Sequence, residues 1–248
     1  MNAYGALAAS YDRLTNDVEY EAVLAYLEQI LQREGVRPET VLDLCCGTGS
    51  LSILMAQKDY QVIGADASAD MLAVAFDKAL NLPEKQRPFF VCQLAQKLKL
   101  PQKVDLVFCG LDSLNYLTQP KDCEAAVRRV YKTLRHGGLF VFDLNTPSKL
   151  RSMDGQVFLD EDDDVYCVWR GEYDPQSRIC TYGMDLFQRH GQAWVRSFEE
   201  HQEYAYSIAQ MMDFLVKAGF CGIKVYGDRR LEAPKEGEQR IYFVAKKE

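Results

Sequence analysis

The sequence predicts an α/β fold: a seven-stranded, mostly parallel sheet with helices on both faces, plus a small antiparallel β insertion. Three observations predict it. Helix and strand signals alternate from residue 19 to residue 144, the pattern of a parallel sheet covered on both sides. An apolar run from Val41 to Leu44 enters a turn holding Gly47 and Gly49, and a second apolar run ends in Asp66. After Pro147 the helical periodicity gives way to strand-like runs separated by turn formers.

Taken in order, residues 19–33 place Val23, Leu27, Ile30 and Leu31 at the spacing of an amphipathic helix, which Gly35 and Pro38 stop. The chain then reads as strand 41–45, helix 50–57, strand 60–65, helix 69–80, strand 88–93, strand 104–110, helix 121–135 and strand 138–144. Ser68 suits the N-cap of the helix after Asp66, and His136-Gly137-Gly138 reads as a helix stop before a strand. Residues 165–170, 179–187 and 193–198 read as an antiparallel meander, parted by turn residues at 174–177 and 190–192. Ser207 and Gln210 form a capping box for a helix through Ala218 that Gly219 ends, and strands 221–227 and 240–245 form a closing hairpin. The expected organisation is a core of residues 1–147 and 205–248 with an inserted antiparallel subdomain at 148–204, acting as a substrate lid.

Composition narrows the function. With 248 residues and 48% apolar content, the chain can bury one large core. No apolar run approaches the roughly 20 residues that span a bilayer, and the stretch from Met1 to Tyr4 does not begin a secretory signal. Eight cysteines lack the two-residue spacing of a zinc knuckle, and Cys45 and Cys46 are adjacent, so reduced thiols in a cytoplasmic protein without a metal site are expected. A net charge of −7 argues against nucleic acid as a partner. Arg128, Arg129, Lys132 and Arg135 read as a solvated face near a helix C-terminus, where cations suit the dipole, and the acidic run 160–164 reads as a solvated loop.

A strand, a glycine turn, a helix and a distant acid together make a grip for a nucleoside at the carboxyl edge of a parallel sheet. A dinucleotide fingerprint would carry a third glycine three residues after Gly49, where Ser52 stands instead. Asp43 sits four residues before Gly47, where a carboxylate repels a pyrophosphate and suits an ammonium group. A nucleoside with an amino-acid tail and no phosphate fits this pattern, and S-adenosylmethionine is such a molecule.

At these residues the chain resembles the class I S-adenosylmethionine-dependent methyltransferases. The resemblance is carried by Val41-Leu42-Asp43-Leu44-Cys45-Cys46-Gly47-Thr48-Gly49-Ser50 and by Val62-Ile63-Gly64-Ala65-Asp66, running on to Met71. It continues through Val104-Asp105-Leu106-Val107-Phe108, then Leu111-Asp112-Ser113-Leu114-Asn115-Tyr116-Leu117, then residues 134–143, so it spans 36–145 in register. It implies a Rossmann-like fold, S-adenosylmethionine as methyl donor and S-adenosylhomocysteine as product. Implied cofactor contacts are Asp43, Cys45, Gly47, Thr48 and Gly49 at the methionine end, Asp66 on the ribose hydroxyls, and Ala67 and Met71 as walls of the adenine slot. Gly110 and Leu111 complete the set where the fourth strand ends. The family's acid after the third strand is replaced by Leu94, so backbone groups or Gln93 are expected to hold adenine. Tyr4 and Tyr11-Asp12 resemble an element that folds over the cofactor, with aromatic rings shielding the sulfonium.

Methyl transfer from a sulfonium is an in-line displacement that mainly needs alignment and exclusion of water. Asp112, Asn115 and Tyr116 stand where donor and acceptor should meet. Tyr166, Trp169, Arg170, Tyr182, Arg196, His201 and Tyr204 supply an aromatic and polar wall from the insertion. No catalytic residue declares itself; His201 and Tyr116 are the side chains available as a base. Neither an Asn-Pro-Pro-Tyr motif nor a Pro-Cys dipeptide is present, which argues against attack on base or amide nitrogens and on pyrimidine carbon. The expectation is methyl transfer to N or O of a small-molecule acceptor by a monomer or homodimer. An RNA or protein methyltransferase, or an inactive cofactor-binding module, is the alternative.

Overall fold

The computed structural model describes residues 11–14, 18–161 and 163–248; Tyr4 lies outside them. The chain begins with α1 (Tyr11–Leu14) and α2 (Tyr20–Glu34), the latter ended by Gly35 at φ 66°. Then come β1 (Thr40–Leu44), α3 (Ser50–Gln57), β2 (Gln61–Asp66), α4 (Ala69–Ala79), β3 (Phe89–Cys92) and β4 (Val104–Cys109). A single 3-10 turn, Ser113–Tyr116, follows β4 and leads to α5 (Pro120–Thr133), β5 (Leu134–Asn145) and α6 (Pro147–Ser152). The insertion holds β6 (Val157–Glu161), β7 (Val165–Asp174), β8 (Ile179–His190) and β9 (Ala193–Tyr204). The chain finishes with α7 (Ile208–Ala218), β10 (Cys221–Gly227) and β11 (Arg240–Lys246).

Seven strands form one sheet in the order β10-β11-β5-β4-β1-β2-β3. Six run in one direction, and β11 lies antiparallel to them between β5 and β10, as the closing hairpin requires. The period-two rule divides each central strand between two cores. Leu42 and Leu44 of β1, Val107 of β4 and Phe140 and Phe142 of β5 face α5 and α7. Val41, Leu106, Phe108, Leu139 and Val141 face α2 and α3.

The two caps expected from the sequence are present: Ser68 Oγ accepts from the amide of Met71, and Ser207 Oγ from that of Gln210. Helix α5, however, ends at Thr133, and His136-Gly137-Gly138 lies within β5. The reason is pairing: Gly137 N–H donates to Lys247 O at 2.6 Å and Lys247 N–H to Gly138 O at 2.9 Å, extending the strand past the helix stop. Gly137, at φ 79°, absorbs the irregularity.

The insertion is a separate four-stranded antiparallel sheet, order β6-β7-β8-β9, one strand more than the sequence suggested. Strand β6 was hidden because the acidic run reads as loop, yet Asp160 and Glu161 pair with Cys167 and Tyr166. Among the described residues no helix is long and apolar enough to cross a membrane. All eight cysteines are free thiols.

Candidate active site at the carboxyl edge of the parallel strands

Where β1 ends, Cys45 (φ 61°), Gly47 (φ 53°) and Gly49 (φ 73°) all adopt left-handed backbone, folding the turn tightly. At Gly49 a side chain has no room, since a Cβ would lie 2.9 Å from Ala75 Cβ and 3.1 Å from the Phe90 ring. At Gly47 no atom of the described residues lies within 4 Å of where a Cβ would be, so none of them covers this face of the turn.

Three groups hold the turn. Asp66 at the end of β2 accepts from Gly47 N–H and from Ser68 N–H, each at 2.8 Å. Burial pushes the Asp66 carboxyl up, and the amides oppose that shift. Beneath the turn, Ser52 Oγ donates to buried Asp43 Oδ2 at 2.5 Å. Desolvation raises Asp43 to about 6 despite the serine. From above, Asp12 of α1 accepts from Thr48 Oγ1 at 2.6 Å and from Lys78 Nζ at 2.5 Å, which also donates to Ser50 Oγ. Tyr11, carried beside this latch, packs against Val165, Cys167, Met184 and Leu186 of the insertion. Burial and the neighbouring Asp112 and Asp66 raise its phenol.

The geometry is that of a nucleoside grip, and relatives agree. A family model described as a methyltransferase domain matches residues 41–138. A putative methyltransferase of Geobacillus sp. (strain WCH70) is 30% identical over 98% of this chain and 99% of its own. The chain belongs to the class I S-adenosylmethionine-dependent methyltransferases. A crystal structure of an S-adenosylmethionine-dependent methyltransferase from Clostridium acetobutylicum ATCC 824 superposes with a TM-score of 0.86, at 27% identity and 98% coverage of both chains. The sugar N-methyltransferase KedS8 from Streptoalloteichus sp. ATCC 53650 shares the fold at 18% identity, with a TM-score of 0.80 over 96% of this chain and 92% of its own.

S-adenosylmethionine is therefore the cofactor of this methyltransferase, and the residues at the strand ends suit it: a glycine face that no described residue covers, beside a carboxylate fixed by two amides. Ala67 is exposed beside Asp66, whereas Met71 is buried. The Gln93 side chain is engaged at both ends by Lys99, accepting its N–H at 2.9 Å and donating to its carbonyl at 3.2 Å. These bonds close the 94–99 loop, and Leu94 is exposed beside it.

After β4, Gly110 leads into two residues with left-handed backbone, Leu111 (φ 57°) and Asp112 (φ 52°). A Cβ at Gly110 would strike the Phe108 ring at 2.5 Å. Asp112 N–H donates to Asp143 Oδ2 at 3.0 Å, and Arg240 of β11 bridges Asp112 (2.5 Å) and buried Asp143. Asn115, expected to orient the acceptor, instead joins the two sheets. Its Nδ2 donates to the carbonyls of Asn145 (3.1 Å) and Tyr204 (3.0 Å), and its Oδ1 accepts from Asn145 N–H at 3.1 Å. With three of its four hydrogen-bonding positions spent on backbone, it is a structural pin.

Strand parity sorts the residues expected from the insertion. Trp169, Tyr182 and His201 share the face that meets the core, and the Tyr116 and Trp169 rings lie 6.1 and 6.4 Å from His201. His201 Nε2 lies 3.2 Å from Glu199 Oε2. Tyr166, Arg170 and Arg196 fall on the opposite face, where Tyr166 meets Phe187 and both arginines grip Asp185. Tyr166, Arg170 and Arg196 therefore do not share one face with His201 as expected, because alternate residues of a strand point to opposite sides. Tyr204 packs 4.6 Å from Tyr206 with Arg178 over its ring.

Two residues went unread in the sequence. Arg240 reads only as the first residue of the second hairpin strand. Glu203 was missed because strand β9 was expected to stop near 198; extended to Tyr204, it buries Glu199, His201 and Glu203 at every second position. Charged residues in the buried phase of a strand were the available signal.

Proposed function

We propose that this methyltransferase transfers a methyl group to nitrogen or oxygen of a small molecule held between the strand ends and the inserted sheet, residues 148–204, which acts as a lid. The supporting observation is the pinned contact of the two sheets. Asn115 ties the end of β5 to the end of β9, and Glu199, His201 and Glu203 bury polar groups on the lid face toward the core. A buried polar wall over the carboxyl edge suits an enclosed acceptor better than a polymer. That KedS8 is a sugar N-methyltransferase on the same fold accords with this.

Asp66 is read as the ribose ligand and the 47–49 turn as the seat of the methionine end, with Tyr11 closing the site from the latch made by Asp12 and Thr48. Asp43 acts through Ser52 and the turn, or through water, on the amino group. When bound, S-adenosylmethionine supplies an electrophilic methyl carbon on a sulfonium; the protein aligns the acceptor with it and excludes water. The RNA alternative is weakened at the cluster of Arg128, Arg129, Lys132 and Arg135: Arg128 of α5 pairs with Glu124 at 2.5 Å and Arg135, in β5, with Asp105 at 2.7 Å, so two of the four cations are already countered.

The test is methyl-labelled S-adenosylmethionine incubated with the protein and whole-cell extract, followed by separation by size. Label in the low-mass fraction is expected; label confined to RNA or protein would overturn the small-molecule reading.

A further inference from the structure

Glu203 ends the buried phase of β9 where the lid meets the core. Its Oε2 accepts from Asn145 Nδ2 at 3.0 Å, and its Oε1 makes no hydrogen bond among the described residues. Charged and titratable groups act on it from four other elements: Asp112 after β4, Arg240 of β11, Lys149 of α6, and Tyr182 and Cys180 of β8. Arg240 is already shared between Asp112 and Asp143. Three carboxyl groups therefore share one guanidinium and one ammonium. A buried carboxylate without a full countercharge is costly, and a cationic ligand removes the cost.

Resting on the small-molecule reading above, we propose that the acceptor is an amine that enters as an ammonium ion, and that Glu203 binds it and takes its proton. Hydroxyl acceptors bring no charge, and anionic ones worsen the imbalance. The alternative base, His201, already has its Nε2 at Glu199 and two aromatic rings about it.

The chemistry balances. One N–H proton passes from the ammonium to Glu203 Oε1. The freed nitrogen lone pair forms the N–C bond as the C–S bond breaks, with that electron pair staying on sulfur. The products are the N-methylammonium ion and S-adenosylhomocysteine, and the Glu203 proton leaves to water. Burial raises the Glu203 carboxyl to about 8, so it exchanges protons near neutrality, as a general base should.

The experiment uses the full chain with methyl-labelled S-adenosylmethionine and a small-molecule cell extract. Mass spectrometry locates the label, and the product's unmethylated parent is then used for kinetics. Glu203→Gln keeps an acceptor for Asn145 and removes the base; Glu203→Asp restores a carboxylate, and cofactor affinity reports folding of both. Expected are label on nitrogen and a fall in kcat of about a hundredfold for E203Q near neutral pH. Its rate should climb as pH approaches the pKa of the free amine, with partial recovery in E203D and cofactor Kd unchanged. Label on oxygen or carbon would overturn the amine assignment and leave the small-molecule reading intact. Wild-type kcat and pH profile in a folded E203Q would remove Glu203 from the role. Absence of label from every small molecule would overturn both readings.

Discussion

Ser52 Oγ stands 2.5 Å from Asp43 Oδ2, beneath the turn that carries Gly47 and Gly49. The serine occupies the place where a dinucleotide fingerprint has glycine, and its hydroxyl gives the buried carboxylate a partner within the protein. Replacing it with alanine strands that carboxylate. Ser52→Ala should lose about 1–3 kcal/mol, measured by urea denaturation near neutral pH. Ser52→Gly should gain no affinity for NAD in calorimetry, because Asp43 remains.

The same pair predicts a pH dependence. The folded state raises Asp43 from 3.8 to about 6, so between those values it holds a proton that the unfolded chain releases. Asp43's contribution to stability is therefore full below about 3.8 and declines as pH rises to about 6. Glu203 acts in the same direction between 4.5 and about 8. Asp43→Asn combined with Glu203→Gln should flatten the fall in Tm across these windows. A double variant whose Tm tracks that of the wild type through the range would refute this linkage.

Asp66 holds the amides of Gly47 and Ser68 and is read as the ribose ligand. Asp66→Ala should weaken S-adenosylmethionine binding at least tenfold, about 1.4 kcal/mol. An unchanged Kd would remove the ribose assignment.

Asn115→Ala leaves three backbone groups, on Asn145 and Tyr204, without their partner. A loss of about 3 kcal/mol is expected in denaturant titration. Limited proteolysis should cut first within residues 148–204, since the pin joins that sheet to the core. Cofactor affinity should change little, because the hydrogen bonds of Asn115 go to Asn145, Tyr204 and Asp112.

Trp169 and Tyr166 lie three residues apart on β7 and on opposite faces of the sheet. Trp169→Ala should raise KM for the acceptor several-fold, while Tyr166→Ala should leave kcat and KM within about twofold of wild type, beyond the usual small loss in stability. Equal effects of the two would contradict the parity argument.

Much of the fold was legible along the chain because its signals are local. Alternating periodicity gave the order of elements, Ser68 and Ser207 announced their helices, and Gly47, Gly49 and Asp66 sat at spacings that only a strand, turn, helix and strand produce. Errors arose where a distant partner overrode local preference. Pairing with Lys247 drew His136, Gly137 and Gly138 into a strand, and pairing with β7 made a strand of an acidic stretch.

The site divides in the same way. Family and cofactor follow from a contiguous backbone motif, since a bare turn flanked by carboxylates imposes its own residue types. The acceptor side is assembled from residues far apart in the chain: Asp112, Asp143, Glu203 and Arg240 meet only when β4, β5, β9 and β11 converge. Burial of each charge is a property of that convergence. Alone, the order of amino acids determined that a sulfonium nucleoside would be gripped at one sheet edge. Three-dimensional packing decided which carboxylates lost their water, because desolvation depends on neighbours that no local spacing encodes.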